Sequence, residues 1–302
     1  MTRSRTAVRA PVPEFDVWGC RGSHNLTPAV SRVGNNTVCA SLVDGSDLYV
    51  FDAGRGLLVL GHAMHSPRRF RSVRRVHVLV SHAHVDHWEG LKDVDWFWRP
   101  NNGLEVAVYG TREAVATVRQ GFAHPSYVPL EVLAAGTAAS LDFVTLQAGR
   151  RRRLGAWTLD TFPLNHYSGA GETRRVLDTL GFRLTREDGA RVAYLCDHEP
   201  NRDTREVEEQ MLSGSQLAVY DAHFASVSHQ RFGHGSQEHA ARMARRHPGT
   251  LVLASHLGPM LSDAALHATR RRYAAGLRNY RLAAEGLRLR WNPARAAFSK
   301  GR

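Results

Sequence analysis

Four side chains of metal-ligand type fall within the six residues His82-Ala83-His84-Val85-Asp86-His87. Residues two apart in extended backbone face the same way, so His82 and His84 can converge on one cation. A turn after them would carry Asp86 and His87 toward a second. Imidazole and carboxylate suit Zn²⁺, the ion expected first, and Mn²⁺ or Fe²⁺ accept the same donors.

Short β-branched runs lead into residues of this kind. Residues 76–80 run into Ser81 and His82, 192–196 into Asp197, and 251–254 into Ser255 and His256. Each reads as a buried strand that delivers a polar side chain from its end. Helical patterns lie between them at 111–121, 237–246 and 262–276, the last with a Ser cap and Asp263 in its first turn. The region 15–51 reads as strands and turns ending in Asp52-Ala53-Gly54. Strands first and last with helices interspersed predict an α/β layered fold. No repeat or low-complexity linker divides the chain, so 14–302 is expected to be one domain behind a loose basic tail at 1–13. The segment 92–133 holds Trp96, Phe97, Trp98, Phe122 and Tyr127 and fits the strand pattern poorly. It is expected either to cap one end of the sheet or to pack under a helix pair.

Composition narrows the classes. The chain has 302 residues, 43% of them hydrophobic, enough for a substantial core, with no run of membrane-spanning length. The basic N-terminus lacks the apolar block of a secretory signal. Cys20, Cys39 and Cys196 are too scattered for a disulfide framework, which makes a reducing cytoplasm the default. A net charge of +12 suits an anionic substrate or a nucleic acid. Yet only Lys92 and Lys300 are lysines, a skew that fits GC-rich coding, and the arginine runs at 150–153 and 270–272 lack the interleaved aromatics of a single-strand groove. The runs therefore read as solvated faces. A small anionic substrate is the expected partner, nucleic acid is not favoured, no membrane is expected, and a homodimer is allowed.

The H-x-H-x-D-H element resembles the signature of the metallo-β-lactamase superfamily, and the resemblance extends over 17–263. It implies a four-layered αββα sandwich with a metal site at strand ends. It also implies three further ligands: His166 in Pro163-Leu164-Asn165-His166, Asp197 in Tyr194-Leu195-Cys196-Asp197 and His256 in Ala254-Ser255-His256. The implied set is His82, His84 and His166 on one ion, Asp86, His87 and His256 on the other, and Asp197 between them. Two bridged divalent ions would share a hydroxide at near-neutral pH, so no serine or cysteine nucleophile is required. Asp52 matches the family's early D-x-G element, which implies a hydrogen bond to a metal-bound histidine. By residue type alone, a turn aspartate before Gly54 serves equally.

Within the superfamily, Arg21-Gly22-Ser23, Gly34-Asn35-Asn36-Thr37, Tyr220-Asp221-Ala222-His223 and Gly233-His234-Gly235-Ser236 are similar to the phosphodiesterase branch. That branch includes tRNA 3′-processing endonucleases and enzymes that open cyclic phosphates or cyclic nucleotides. The resemblance implies that His234 contacts the scissile phosphate and assists the leaving group, joining Asp86 and Asp197 as the catalytic set. There are two departures. Gly235 and Ser236 follow the histidine where Ser-Thr is usual, and 167–178 is longer than expected beside the metals. No long glycine- and proline-rich RNA-gripping arm is evident, which favours a small cyclic or compact phosphate ester. A lactone, lactam or thioester hydrolase on the same metals is the alternative, followed by an iron-dependent redox or oxygenase enzyme and a non-catalytic module. His198 and His223 adjoin motif elements; the other histidines are expected to be structural or on the surface.

Overall fold

β-Branched and aromatic runs build two sheets. The structure, a computed structural model, describes residues 12–300 apart from 25–30, 67–68, 98, 100–101, 126, 136–138 and 170. The tail expected at 1–13 falls almost wholly outside the described residues, as does Trp98.

Six strands come from the first half of the chain: β1 (Glu14–Gly19), β2 (Cys39–Asp44), β3 (Asp47–Phe51), β4 (Arg75–Leu79), β5 (Glu105–Gly110) and β6 (Ser140–Thr145). The second sheet holds β7 (Arg151–Leu154), β8 (Trp157–Ser168), β9 (Arg175–Arg186), β10 (Arg191–Leu195), β11 (Leu217–Asp221), β12 (Leu251–Ser255) and β13 (Tyr280–Leu282). The C-terminal β14 (Arg288–Asn292) and β15 (Ala297–Lys300) return to the first sheet beside β1, giving the order β15-β14-β1-β2-β3-β4-β5-β6. The second sheet runs β13-β12-β11-β10-β9-β8-β7.

Two parallel blocks matter for function. Strands β3 to β6 are parallel to one another, and so are β10 to β13. Parallel neighbours need crossovers. These include α1 (Gly56–Ala63), α2 (Gly90–Asp93), α3 (Arg112–Gly121) and α4 (Leu130–Ala135) for the first sheet, and α5 (Arg205–Leu212), α6 (Gln237–Arg246) and α7 (Asp263–Ala274) for the second. Parallel strands all finish at one rim, so residues that follow them in sequence meet in space. The Ser cap anticipated at 262 is present, Ser262 Oγ accepting from the Ala265 amide at 3.3 Å, and Thr111 Oγ1 caps the helix after it in the same way, accepting from the Ala114 amide at 3.1 Å.

The layers are helix, sheet, sheet, helix, as the resemblance implied. Leu57 and Leu60 of α1 and Ala114 and Val118 of α3 are buried against Val50, Val78 and Val108. Met211 of α5, Ala240 and Ala244 of α6 and Leu266 of α7 cover the second sheet. Between the sheets Phe51 stacks on Tyr194 with centroids 5.2 Å apart, and Trp157 Nε1 donates to Asp44 Oδ2 at 3.0 Å. Tyr49 donates its hydroxyl to the Leu154 carbonyl at 2.7 Å. Among the described residues no helix is long and apolar enough to cross a membrane, and all three cysteines are free and buried.

Of the two readings of 92–133, packing describes the segment and capping does not: it contains β5, an interior strand paired on both sides, and Trp96 and Phe122 are buried in the core cluster that also holds the buried residues of α1 and α3. The long 167–178 segment is the outer end of a hairpin in which β8 and β9 pair from Trp157↔Arg186 to Ser168↔Arg175. An Arg175–Glu113 ion pair at 2.7 Å ties that hairpin to α3.

Candidate metal centre

Five strand ends meet at the rim. Asp52 follows β3, Ser81 and His82 follow β4, Asp197 follows β10, Asp221 ends β11 and His256 follows β12. Asp52, Asp197 and His256 all turn the chain in the left-handed region, with φ of 52°, 54° and 52°. A non-glycine residue there costs about 1–3 kcal/mol, a strain that persists only where the surroundings hold it and that gathers at functional sites. The chain after β1 must also come close: a Cβ at Gly22 would collide with the His256 ring.

The seven residues named from sequence come together in two groups on either side of one carboxylate. Asp197 Oδ2 lies 3.4 Å from His166 Nε2 and 3.6 Å from His82 Nε2, and His84 Nδ1 is 3.1 Å from His166 Nε2. Its other oxygen, Oδ1, lies 2.9 Å from His256 Nε2 and 3.3 Å from His87 Nε2. Asp86 Oδ2 completes that side at 3.4 Å from His87 and 3.6 Å from His256.

The hydrogen bonds behind these atoms set the tautomers. His87 donates from Nδ1 to Asp52 Oδ2 at 2.8 Å, His166 from Nδ1 to the Gly233 carbonyl at 2.9 Å, and His82 Nδ1 sits 3.0 Å from Ser81 Oγ. Each ring therefore turns its Nε2 toward Asp197. Asp52 is fully buried and also accepts from the Ser81 amide, the Ser81 hydroxyl and the Tyr194 hydroxyl at 2.8, 3.0 and 2.8 Å. It is the partner of a site histidine, as its match to the D-x-G element implied, and more than a turn residue.

The donor set fits a divalent cation. His82 Nε2, His87 Nε2, His256 Nε2 and Asp197 Oδ1 are buried with no hydrogen-bond partner, an arrangement that native interiors avoid unless something absent from the protein satisfies them. His82, His84, His166 and Asp197 form one group able to hold an ion and Asp86, His87 and His256 another, while His234 enters two further groupings, with His223 and His256 and with Asp197, Asp221 and His256. Electrostatics agree. Burial pushes His82 well below the usual imidazole range and His166 down to about 4. Burial also opposes charge on His87 and His256, but Asp197, helped by the neighbouring carboxylates, outweighs it and raises His256 to about 10. Without a cation, protons on these two rings balance the carboxylates, and a metal would displace them.

A model of the β-lactamase superfamily domain matches residues 48–257, more than half of the chain. The chain belongs to the β-lactamase superfamily. No curated protein matches it. Among solved structures, this superfamily member is similar to the metallo-β-lactamase fold protein YhfI from Bacillus subtilis, with 15% identity, 93% of this chain and 99% of that chain covered and a TM-score of 0.64. It is also similar to a diphosphatase of the PhnP family, with 17% identity, coverage of 92% and 96% and a TM-score of 0.64. A third likeness is to Zn²⁺-bound PqqB from Methylobacterium extorquens, with 14% identity, coverage of 91% and 99% and a TM-score of 0.65.

In this superfamily member His234 stands beside the two groups, its Nδ1 3.8 Å from Asp197 Oδ2 and 3.1 Å from Asp221 Oδ2. Asp221 carries no role in the sequence reading. It is fully buried and also accepts from the His198 and His223 amides, both at 3.0 Å. Its signal was present, since residues 217–221 form another apolar run ending in a polar residue. Ser236, by contrast, caps α6 by accepting from the His239 amide at 3.2 Å and is fully buried.

Glu208 of α5 was invisible from sequence. It is 2% exposed and accepts from His198 Nε2 at 2.9 Å and His239 Nε2 at 3.1 Å, while His198 Nδ1 accepts from the Asn165 amide at 3.2 Å. That chain of contacts anchors the backbone just before His166. Burial alone would raise the Glu208 carboxyl, but the two histidines hold it at about 2, against an ordinary 4.5. The difference corresponds to about 3 kcal/mol of folding stability, complete above pH 4.5 and lost as pH falls toward 2. Glu208→Gln should therefore melt well below the parent at neutral pH, with the two melting curves converging in strong acid. Thermal unfolding across that pH range checks this, and a constant gap at all pH values would contradict it.

Proposed function

We propose that this chain is a dinuclear metal-dependent phosphodiesterase acting on a small cyclic or compact phosphate ester. The observation that carries the reading is His234. It lines the same cleft as the two donor groups, is surplus to both, and is oriented by a buried carboxylate through Nδ1, which leaves Nε2 for a substrate atom. An imidazole so placed suits proton donation to a departing alkoxide.

Two divalent cations held by His82, His84, His166, Asp86, His87, His256 and the shared Asp197 would supply an activated water and neutralise phosphoryl charge, with Zn²⁺ first and Mn²⁺ or Fe²⁺ as alternatives. The protein does the rest. Asp197 keeps the two donor groups at one spacing by facing one oxygen to each. Asp52, Ser81 and the Gly233 carbonyl lock the imidazole tautomers. Asp221 fixes the His234 ring so that its Nε2 carries the mobile proton. Val85, Tyr167 and Phe232 line the cleft, and its volume of about 330 Å³ suits a compact ester better than a folded RNA. The likeness to a PhnP-family diphosphatase supports a phosphorus centre, and the likeness to Zn²⁺-bound PqqB supports zinc.

A screen of cyclic nucleotides, cyclic ribose phosphates and an aryl phosphodiester, each with Mn²⁺ and with Zn²⁺, tests the reading. Turnover of at least one of them is expected. Turnover confined to lactones, lactams or thioesters would overturn it.

A further inference from the structure

A second and larger groove lies along the edge of the sandwich, where α7 and the edge strand β13 approach the end of β15. It encloses about 1060 Å³, and none of its lining residues belongs to the metal centre. Its cationic side chains are Arg32, Arg270, Arg271, Arg278, Arg281 and Lys300, and among the described residues no carboxylate lines it. None of the six forms an ion pair among the described residues, whereas Arg75 of β4, Arg151 of β7 and Arg183 and Arg186 of β9 do. Arg270 and Arg271 of the run at 270–272, both exposed, line this concave surface.

The floor has a different character. Val33, Leu277, Leu282 and Leu287 make it aliphatic. Tyr280, 1% exposed, also lines it, and its hydroxyl is buried with no hydrogen-bond partner. A buried hydroxyl left unpaired costs about 1–3 kcal/mol, so an acceptor from outside the protein fits the position. Unpaired guanidiniums around an aliphatic floor call for a ligand with a multiply charged anionic head and an aliphatic body.

We infer that this groove binds a small anionic amphiphile, an aliphatic phosphate ester whose head engages the arginine rim and Tyr280 and whose chain lies on the leucines. Two other occupants fit worse. A second copy of the chain docking by the same face would bring two sets of six cations together, and single-stranded nucleic acid wants exposed aromatic platforms, whereas the lining's aromatic, Tyr280, is buried.

The test is independent of the hydrolase reading, because it measures binding. Decyl phosphate, kept below its micelle concentration, is titrated calorimetrically into the full chain, with inorganic phosphate and uncharged decyl maltoside as controls. Decyl phosphate should bind at least roughly tenfold more tightly than either control, and more weakly as salt is raised. Arg270→Glu combined with Arg278→Glu should weaken it by roughly tenfold or more, and Tyr280→Phe by several-fold, while His84→Ala leaves it unchanged. Should the double variant fail to fold, Arg278→Glu alone, at an exposed loop position, carries the same expectation. No binding, equal binding of inorganic phosphate, or loss in His84→Ala with retention in the arginine variants would each overturn the inference. So would binding seen only to anionic vesicles or to an RNA oligonucleotide.

Discussion

Asp197→Ala is expected to leave the chain with one bound metal ion or none and with no turnover of any phosphodiester that the parent hydrolyses. The reason is geometric. One oxygen of this carboxylate faces His82 and His166 and the other faces His87 and His256, all within 3.6 Å. Removing it strips both donor groups at once. His82, His84 and His166 are left as three neutral rings with no anionic partner, and His87 and His256 lose the largest cause of their raised pKa. Loss of an outer hydrogen-bonding partner weakens a metal by roughly 10–100-fold, and loss of a ligand shared by two ions should exceed that. Elemental analysis of the purified variant, read with the phosphodiester screen, checks both halves. Two full equivalents of metal in the alanine variant would remove Asp197 from its bridging place.

His234→Ala carries the second large expectation, and its form is more diagnostic than its size. Metal content should stay at the parental value, because the group of His82, His84, His166 and Asp197 and the group of Asp86, His87 and His256 do not use this ring and its Nδ1 is engaged by Asp221. Turnover of an ester with a basic alkoxide leaving group should fall by roughly 10²–10⁴-fold, the range of general acid catalysis. An aryl phosphodiester should lose far less, since its leaving phenolate needs little help from a proton. Asp221→Asn should follow the same leaving-group pattern in milder form, because it loosens the ring through Nδ1 and leaves Nε2 in place. Steady-state kinetics across a leaving-group series separates the outcomes. An equal loss for every leaving group would make His234 a binding or packing residue and end its role as acid.

Much of the centre was legible locally. The H-x-H-x-D-H element declares itself because the period-two geometry of a strand and the turn after it are short-range properties. The apolar runs ending in Asp197 and His256 are legible for the same reason, and so are the helix starts at Thr111 and Ser262, where a hydroxyl caps amides three residues on. The 92–133 segment misled because its local pattern is dominated by aromatics that pack under helices, while β5 inside it is specified by neighbours on both sides.

By itself, then, the sequence determined which residues could serve as ligands and that His82, Asp197 and His256 would emerge from strand ends, whereas His166 lies within β8, paired with Leu177. Which ends meet was decided by tertiary structure. Asp52 and Tyr194 are bonded across 142 positions, and His166 and Gly233 across 67. Glu208 reaches the site only through His198 and Asn165, and Asp221 gains its purpose only when β11 is laid between β10 and β12. Side-chain periodicity is encoded over a few residues, whereas sheet order and the crossings that set it emerge from packing of the whole chain, and the partners of each carboxylate follow from that order.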